Sequence, residues 1–214
     1  MVNKEPIARR RRLPEQERRE QILEAAFRIA CRDRLEAVTG RRVAEEAGLS
    51  SGLVFFHFQN KDQLLLSLVD WIIDSILATL TLPEGALVEA PREQLLGFIA
   101  ERIARLGRAR DREQVELFFD LWVLGTRNAE VRDRLRRALA RYREALTPVT
   151  RALVAADPAR YAGVSPEALA MVASSLLHGS AVQAAMDAES FGVDSFIAAL
   201  RAVLGLPAPA SSLS

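Results

Sequence analysis

Two short helical patterns lie between residues 39 and 61, joined by Ala47-Gly48-Leu49-Ser50, and so brief a junction leaves the two helices few ways to pack. Thr39 can cap the first helix, and Val43 and Ala44 supply its apolar contacts. Gly48 stands where that helix must stop in a left-handed conformation, which glycine adopts without strain. Leu49 packs the turn and Ser50 caps the second helix, whose Gly52, Leu53, Val54, Phe55 and Phe56 are followed by His57 and Phe58. Such a pair is a helix-turn-helix, and a short helix held across another is shaped to enter a DNA major groove.

The segment from about Arg18 to Leu68 resembles the DNA-binding domain of the TetR family of one-component bacterial transcriptional regulators. The resemblance is carried by Ile22-Leu23-Glu24-Ala25-Ala26, by Thr39, by Val43-Ala44-Glu45-Glu46-Ala47-Gly48-Leu49-Ser50, by Gly52 and His57-Phe58, and by Lys61-Asp62-Gln63-Leu64. The family usually carries an aromatic hydroxyl where this chain has Phe55 and Phe56, and often a threonine where Leu53 stands. Phosphate contacts made elsewhere by tyrosine hydroxyls are therefore closed to these residues, and affinity leans on charge and backbone amides.

Ser51 and Leu53 lie early in the second helix and are the candidates for base-edge contact, Ser51 by hydrogen bonding and Leu53 against a thymine methyl. Gly52 permits close backbone approach. The resemblance implies that Thr39, Arg41, Arg42, His57 and Lys61 match or flank phosphate-gripping positions, with oriented amides at the helix start near Lys61. His57 has the alternative of a packed structural imidazole. With the capping Ser50 and Phe55 these residues make up the expected DNA-binding set, while Val54, Phe56 and Phe58 read as core.

Charge is distributed unevenly. Residues 1–62 hold 13 Lys and Arg against 10 Asp and Glu, whereas the remainder holds 16 against 18. Lys4 and Arg9-Arg10-Arg11-Arg12 precede the first helix, either as an arm along phosphates or a minor groove or as a solvated tail. The 214 residues, half of them hydrophobic, suffice for a sizeable core. Cys31 is the single cysteine and reads as a buried structural thiol. No run is read as a membrane span, so a cytoplasmic protein without membrane association is expected.

The periodic segments along the chain read as helices and none reads as a strand, so an all-α fold of about nine helices is expected. Pro14, Glu15 and Glu17 open a first helix over about 15–32, with Ile22, Leu23, Ala26, Phe27 and Ala30 on one face. Asn60 and Gln63 resemble a capping box opening a helix from Lys61 to about Leu80, with Leu64, Leu65, Leu68, Trp71, Ile72 and Ile76 inward. Residues 81–90, with Pro83 and Gly85, read as a loop. Five further helices are expected: Pro91 to about Gly107, Asp111 to Gly125, Asn128 to Ala155, Pro166 to about Ala188 and Val193 to Leu204. The organisation expected is an arm and a three-helix DNA-binding domain over 1–62, a helical regulatory and dimerisation domain over 63–206, and a frayed tail over 207–214.

Ala168 to Ala188 is dense in Ala, Ser and Gly, and Val193, Phe196, Ile197, Leu200, Val203 and Leu204 recur at helical spacing. Two copies of this pair of helices would make a four-helix bundle, with Met186, Phe196, Ile197 and Leu200 at the interface; alternatively both faces are spent inside one subunit. Family members dimerise through this region, and a twofold dimer would set two recognition helices roughly 34 Å apart on a palindromic operator.

The resemblance also implies a ligand pocket for a small-molecule effector, with Trp71, Phe98, Phe118, Trp122 and His178 as possible walls, each of which has plain core as its alternative. Glu116–Trp122 and Leu177–Gln183 resemble the regulatory domains of choline-responsive members. Aromatic walls suit a cation or an apolar molecule. No catalytic residue, metal or cofactor is expected, because two histidines, one cysteine and no glycine-rich phosphate loop supply neither a nucleophile with a base nor a ligand cluster. The rival to a DNA-binding regulator is a helical lipid- or protein-binding module without DNA function.

Overall fold

The computed structural model describes residues 14–78, 90–105, 109–187 and 189–207; the arginine arm at 9–12, residues 81–89 of the expected loop and the tail beyond 207 lie outside them. Among the described residues there are nine α-helices and no strand. They form two compact units, one ending at Leu68 and one starting at Val69.

In the first unit, α1 (Glu15–Asp33) begins after Pro14, with Glu15 and Glu17 against the positive end of its dipole. Arg34, at φ 74°, ends it, and a short 3₁₀ turn (Leu35–Ala37), absent from the periodicity reading, leads to α2 (Gly40–Ala47) and α3 (Ser51–Phe58). Helix α1 packs on α2, and α2 on α3. Ile22, Ala25, Ala26, Val43 and Val54 are fully or almost fully buried and form the centre of this unit. Cys31 departs from expectation: it is only half-buried, beside the exposed Arg32 and away from the inward face of α1.

Helix α4 (Lys61–Ala78) starts in the first unit and continues into the second. Leu64, Leu66, Leu68, Val69, Ile72 and Ile73 are its buried residues, whereas Leu65, Trp71 and Ile76 are partly exposed, so the inward face is broader than one stripe and displaced from the expected one.

The second unit adds α5 (Pro91–Arg105), α6 (Ala109–Arg127), α7 (Ala129–Ala156), α8 (Pro166–Met186) and α9 (Val193–Val203). Helix α6 runs beyond both expected ends, and its limit is the cap of the next helix, where Asn128 Oδ1 accepts from Val131 N at 3.1 Å. The Ser165 hydroxyl accepts from Ala168 N at 3.1 Å and starts α8 with Pro166 in its first turn. Thr150 Oγ1 donates to the Pro166 carbonyl at 2.8 Å and ties α7 to that start. One core joins Leu96, Ile99 and Ile103 of α5, Leu146, Val149 and Leu153 of α7, Ala170, Ala173 and Leu177 of α8, and Leu200 of α9. Arg134 and Arg141 of α7 pair with Asp70 and Asp74 of α4 at 3.0 and 2.7 Å.

Candidate functional site

The helix-turn-helix is organised by the residues that its sequence nominates. Thr39 Oγ1 accepts from Arg42 N at 3.3 Å, and Ser50 Oγ accepts from Leu53 N at 3.3 Å. Gly48 adopts φ 66° and ψ 36°, which lets Leu49 N return to the Ala44 carbonyl at 2.8 Å and closes α2. On α3, Val54 and Phe58 are 0% and 2% exposed and fix its buried face. Phe56 lies on the opposite face and is 75% exposed, which corrects its reading as core: only Val54 and Phe58, four apart, point inward. The Phe55 ring instead covers Gly40 so closely that a Cβ there would collide with it.

Residues outside the motif hold it in place. Arg19 of α1 donates to the His57 carbonyl at the end of α3, and its guanidinium lies 4.4 Å from the centre of the Phe58 ring. Gln21 Nε2 donates to the Ala47 carbonyl at the end of α2, at 3.0 Å. Each bond satisfies a terminal carbonyl that the helix cannot satisfy itself. No motif announces Arg19 and Gln21, because their role depends on how α1 crosses the other two helices.

The expected phosphate-gripping residues differ in their surroundings. Lys61 is exposed at the start of α4, where Asn60 Oδ1 caps Gln63 N at 2.9 Å. Arg41 is exposed and pairs with Glu45 at 3.0 Å. Arg42 pairs with Asp33, joining α2 to α1. Burial pushes the Asp33 carboxyl up, but hydrogen bonds from Arg42 and Arg32 together with their charges hold it below the ordinary 3.8. Glu46 is likewise held below the ordinary 4.5, chiefly by its hydrogen bond from Arg28. His57 is half-buried with Phe56 edge-on at 5.3 Å, and its Nδ1 has no hydrogen-bond partner among the described residues. Ser51 and Gly52 are exposed and Leu53 is half-buried, next to one another at the start of α3.

The second unit contains a cavity of about 610 Å³ lined from α4 to α8. Ile73, Ile76 and Leu77 of α4 form one wall, with Arg102 and Ile103 of α5, Phe118 and Trp122 of α6, Tyr142 of α7 and His178 of α8 on the others. Three rings surround the imidazole: Phe118 stacks on it at 5.9 Å, and Trp122 and Tyr142 tilt against it at 6.3 and 5.1 Å. Burial holds His178 below the ordinary 6.5, against an upward pull from its hydrogen bond to the Ser174 backbone. Burial raises the Tyr142 phenol, and Arg102 offsets part of this.

Phe118, Trp122 and His178 thus meet at one cavity, but Trp71 and Phe98 are not among its lining residues. Trp71 is half-buried on α4 outside the lining, and Phe98 packs against the core with the Arg102 guanidinium 5.5 Å from its ring centre. Tyr142 and Arg102 belong to the cavity and were not nominated; a tyrosine within the aliphatic stripe of α7 was the available signal.

The expected dimer set divides in the same way. Met186 is 72% exposed on α8, together with Met171 and Val172 at 56%, and Val203 on α9 is 70% exposed. Leu200 is 7% exposed in the core of the same unit, with Phe196 and Ile197 partly buried against it. Leu200 is thus core in place of the expected interface residue, because α9 lays its apolar face on α5, while Phe196 and Ile197 keep part of their surface exposed. A second correction concerns α8, which by length and composition is apolar enough to cross a membrane although it is mostly unburied within the unit. Glu167 is its only charged residue, and its small residues made the run less conspicuous than leucines would have.

The family model described as "Bacterial regulatory proteins, tetR family" matches residues 22–68, and that described as "BetI-type transcriptional repressor, C-terminal" matches residues 91–206. The chain belongs to the TetR family, which comprises regulatory proteins and not enzymes. The HTH-type transcriptional repressor AcnR of Corynebacterium diphtheriae is 37% identical over 78 residues, 36% of this chain and 40% of that protein. The HTH-type transcriptional regulator YerO of Bacillus subtilis is 29% identical over 80 residues, 37% of this chain and 28% of that one. The chain thus matches less than half the length of these curated relatives.

Among solved structures, a TetR transcription regulator from Haloarcula marismortui aligns with a TM-score of 0.70 at 16% identity, covering 89% of this chain and 97% of the other. A transcriptional regulator from Saccharomonospora viridis, solved in complex with choline, aligns with a TM-score of 0.66 at 24% identity, covering 89% and 96%. At such identities these likenesses establish the fold.

Proposed function

We propose that the chain is a ligand-responsive repressor that binds a palindromic operator as a homodimer and leaves it when a small molecule occupies the cavity. The observation that carries this reading is the continuity of α4: the helix that begins with the exposed Lys61 also supplies Ile73, Ile76 and Leu77 to the cavity wall. A ligand that alters the packing of that wall therefore acts on the helix following the DNA-reading pair. It shifts binding only by its difference in affinity for the two arrangements, on the order of 1–3 kcal/mol.

Thr39, Arg41, Ser50, Ser51, Gly52, Leu53, Phe55, His57 and Lys61 form the proposed DNA surface, with Arg42 positioning α2 through Asp33. The cavity's aromatic box and aliphatic wall favour a mainly apolar or aromatic effector. A molecule of the size of choline, held by the relative from Saccharomonospora viridis, fills only part of it. The exposed face of α8 at Met171, Val172, Val182 and Met186 is the surface proposed to meet a second copy. Family membership favours this reading over a lipid- or protein-binding module without DNA function.

The test is selection of duplexes from random-sequence DNA by the full chain, with the mass of the complex measured by sedimentation. A twofold-symmetric sequence bound by paired copies is expected. Enrichment of no sequence, or binding by a single copy to an asymmetric site, contradicts the proposal.

A further inference from the structure

Helix α3 is unusual for a helix offered to DNA. Its eight residues, Ser-Gly-Leu-Val-Phe-Phe-His-Phe, include no Asp, Glu, Lys or Arg. Its buried face is set by Val54 and Phe58, and with about 3.6 residues per turn the opposite face carries Phe56 with Gly52 and Leu53, four and three residues before it. Phe56 has the highest exposure of any large apolar side chain among the described residues, at 75%. Among the described residues its one aromatic neighbour is His57, with the two rings nearly perpendicular.

A phenyl ring has no donor or acceptor. Against a purine edge or an exocyclic amine it strips water from polar atoms without replacing their hydrogen bonds, which is unfavourable. In the major groove, the one base feature that gains from an apolar neighbour is the C5-methyl of thymine. We infer that Phe56, backed by Leu53, packs on thymine methyls of the operator, making Phe56 a specificity-determining residue and leaving hydrogen-bond readout to Ser51. The inference rests on α3 being the DNA-reading helix and adds the chemistry that it reads.

Duplexes recovered by selection with the full chain would be remade with deoxyuridine at single thymine positions, which removes the methyl and retains pairing. Wild-type protein should bind about fourfold more weakly for each contacted methyl removed, corresponding to about 0.8 kcal/mol per buried carbon. F56A should bind the thymine duplex more weakly by a similar factor and be indifferent to uracil at those positions, whereas F56L should retain discrimination. An equal uracil penalty in wild type and F56A overturns the inference while leaving DNA binding intact. So does a change in the mass of F56A in solution at unchanged discrimination, which assigns the face to protein contact. Binding to no duplex overturns the DNA reading and this inference with it.

Discussion

The two units place their candidate sites in opposite ways. In the first, the site is exposed and nearly continuous in sequence, with Thr39, Gly48, Ser50 and Asn60 each acting on a residue two to five positions away. Ion pairs and the Arg19 and Gln21 clamps brace it from behind. In the second, the site is concave, and its ring cluster joins Phe118, Trp122, Tyr142 and His178 from three helices. A surface built by local caps has each turn set by its own short stretch of chain. A cavity gathered from distant helices depends on their packing and is the part that a ligand can alter.

That contrast predicts unequal tolerance to truncation. Ile22→Ala, at a fully buried position of α1, should cost about 2–5 kcal/mol. Trp122→Ala, at a ring 42% exposed on the cavity wall, should cost only about 1 kcal/mol while removing the response to effector. Urea unfolding followed by circular dichroism checks both. Equal costs would erase the difference between a filled core and an open cavity. Both tryptophans, Trp71 and Trp122, lie in the second unit, so fluorescence reports that unit alone.

A smaller effect than at Ile22 is expected where α2 meets α3. Gly40→Ala places a methyl against the Phe55 ring and should cost about 1–2 kcal/mol by crowding. In a Phe55→Ala background the same substitution should cost almost nothing, so a double-mutant cycle on thermal unfolding isolates the contact.

Acid should separate the units further. His178 is held below 6.5 in the folded state, so its neutral form contributes stability that is complete above pH 6.5 and is lost as pH falls through the lower folded value. Asp33 and Glu46, held below 3.8 and 4.5, contribute stability that is complete above those values and fades only below them. Tryptophan fluorescence followed downward from pH 6.5 should therefore show the second unit weakening, and His178→Gln should flatten that profile. A profile unchanged by the substitution would remove His178 as its cause.

The smallest effect belongs to the turn between α3 and α4. Gln59 has φ 63° and ψ −53°, closed by Asn60 N donating to the Phe58 carbonyl at 2.6 Å. Gln59→Gly should stabilise the first unit by about 0.5–1 kcal/mol, read by amide exchange at Val54 and Phe58.

How far the sequence disclosed all this follows the same division. The caps and Gly48 were legible because each acts within one turn of chain, and they carried the fold of the first unit with them. The exposure of Phe56 was legible in principle, since it lies half a turn from Val54 and Phe58, but its aromatic character favoured a core reading. The cavity was legible only in part. Phe118, Trp122 and His178 meet there, yet nothing local distinguishes them from Trp71 and Phe98, and Tyr142 looked like one more residue of an apolar stripe. Leu200 read as an interface residue because periodicity shows that a face is apolar without showing what covers it. Here the cover is α5 of the same chain.

The most direct test of the account is hydrogen exchange of the full chain with and without a selected duplex. Added protection is predicted across residues 39–61, with Ser51 to Phe56 and the first turn of α4 at Lys61 most affected. Protection confined to the second unit, or absent from α3, would contradict the assignment of the helix-turn-helix as the surface that meets DNA.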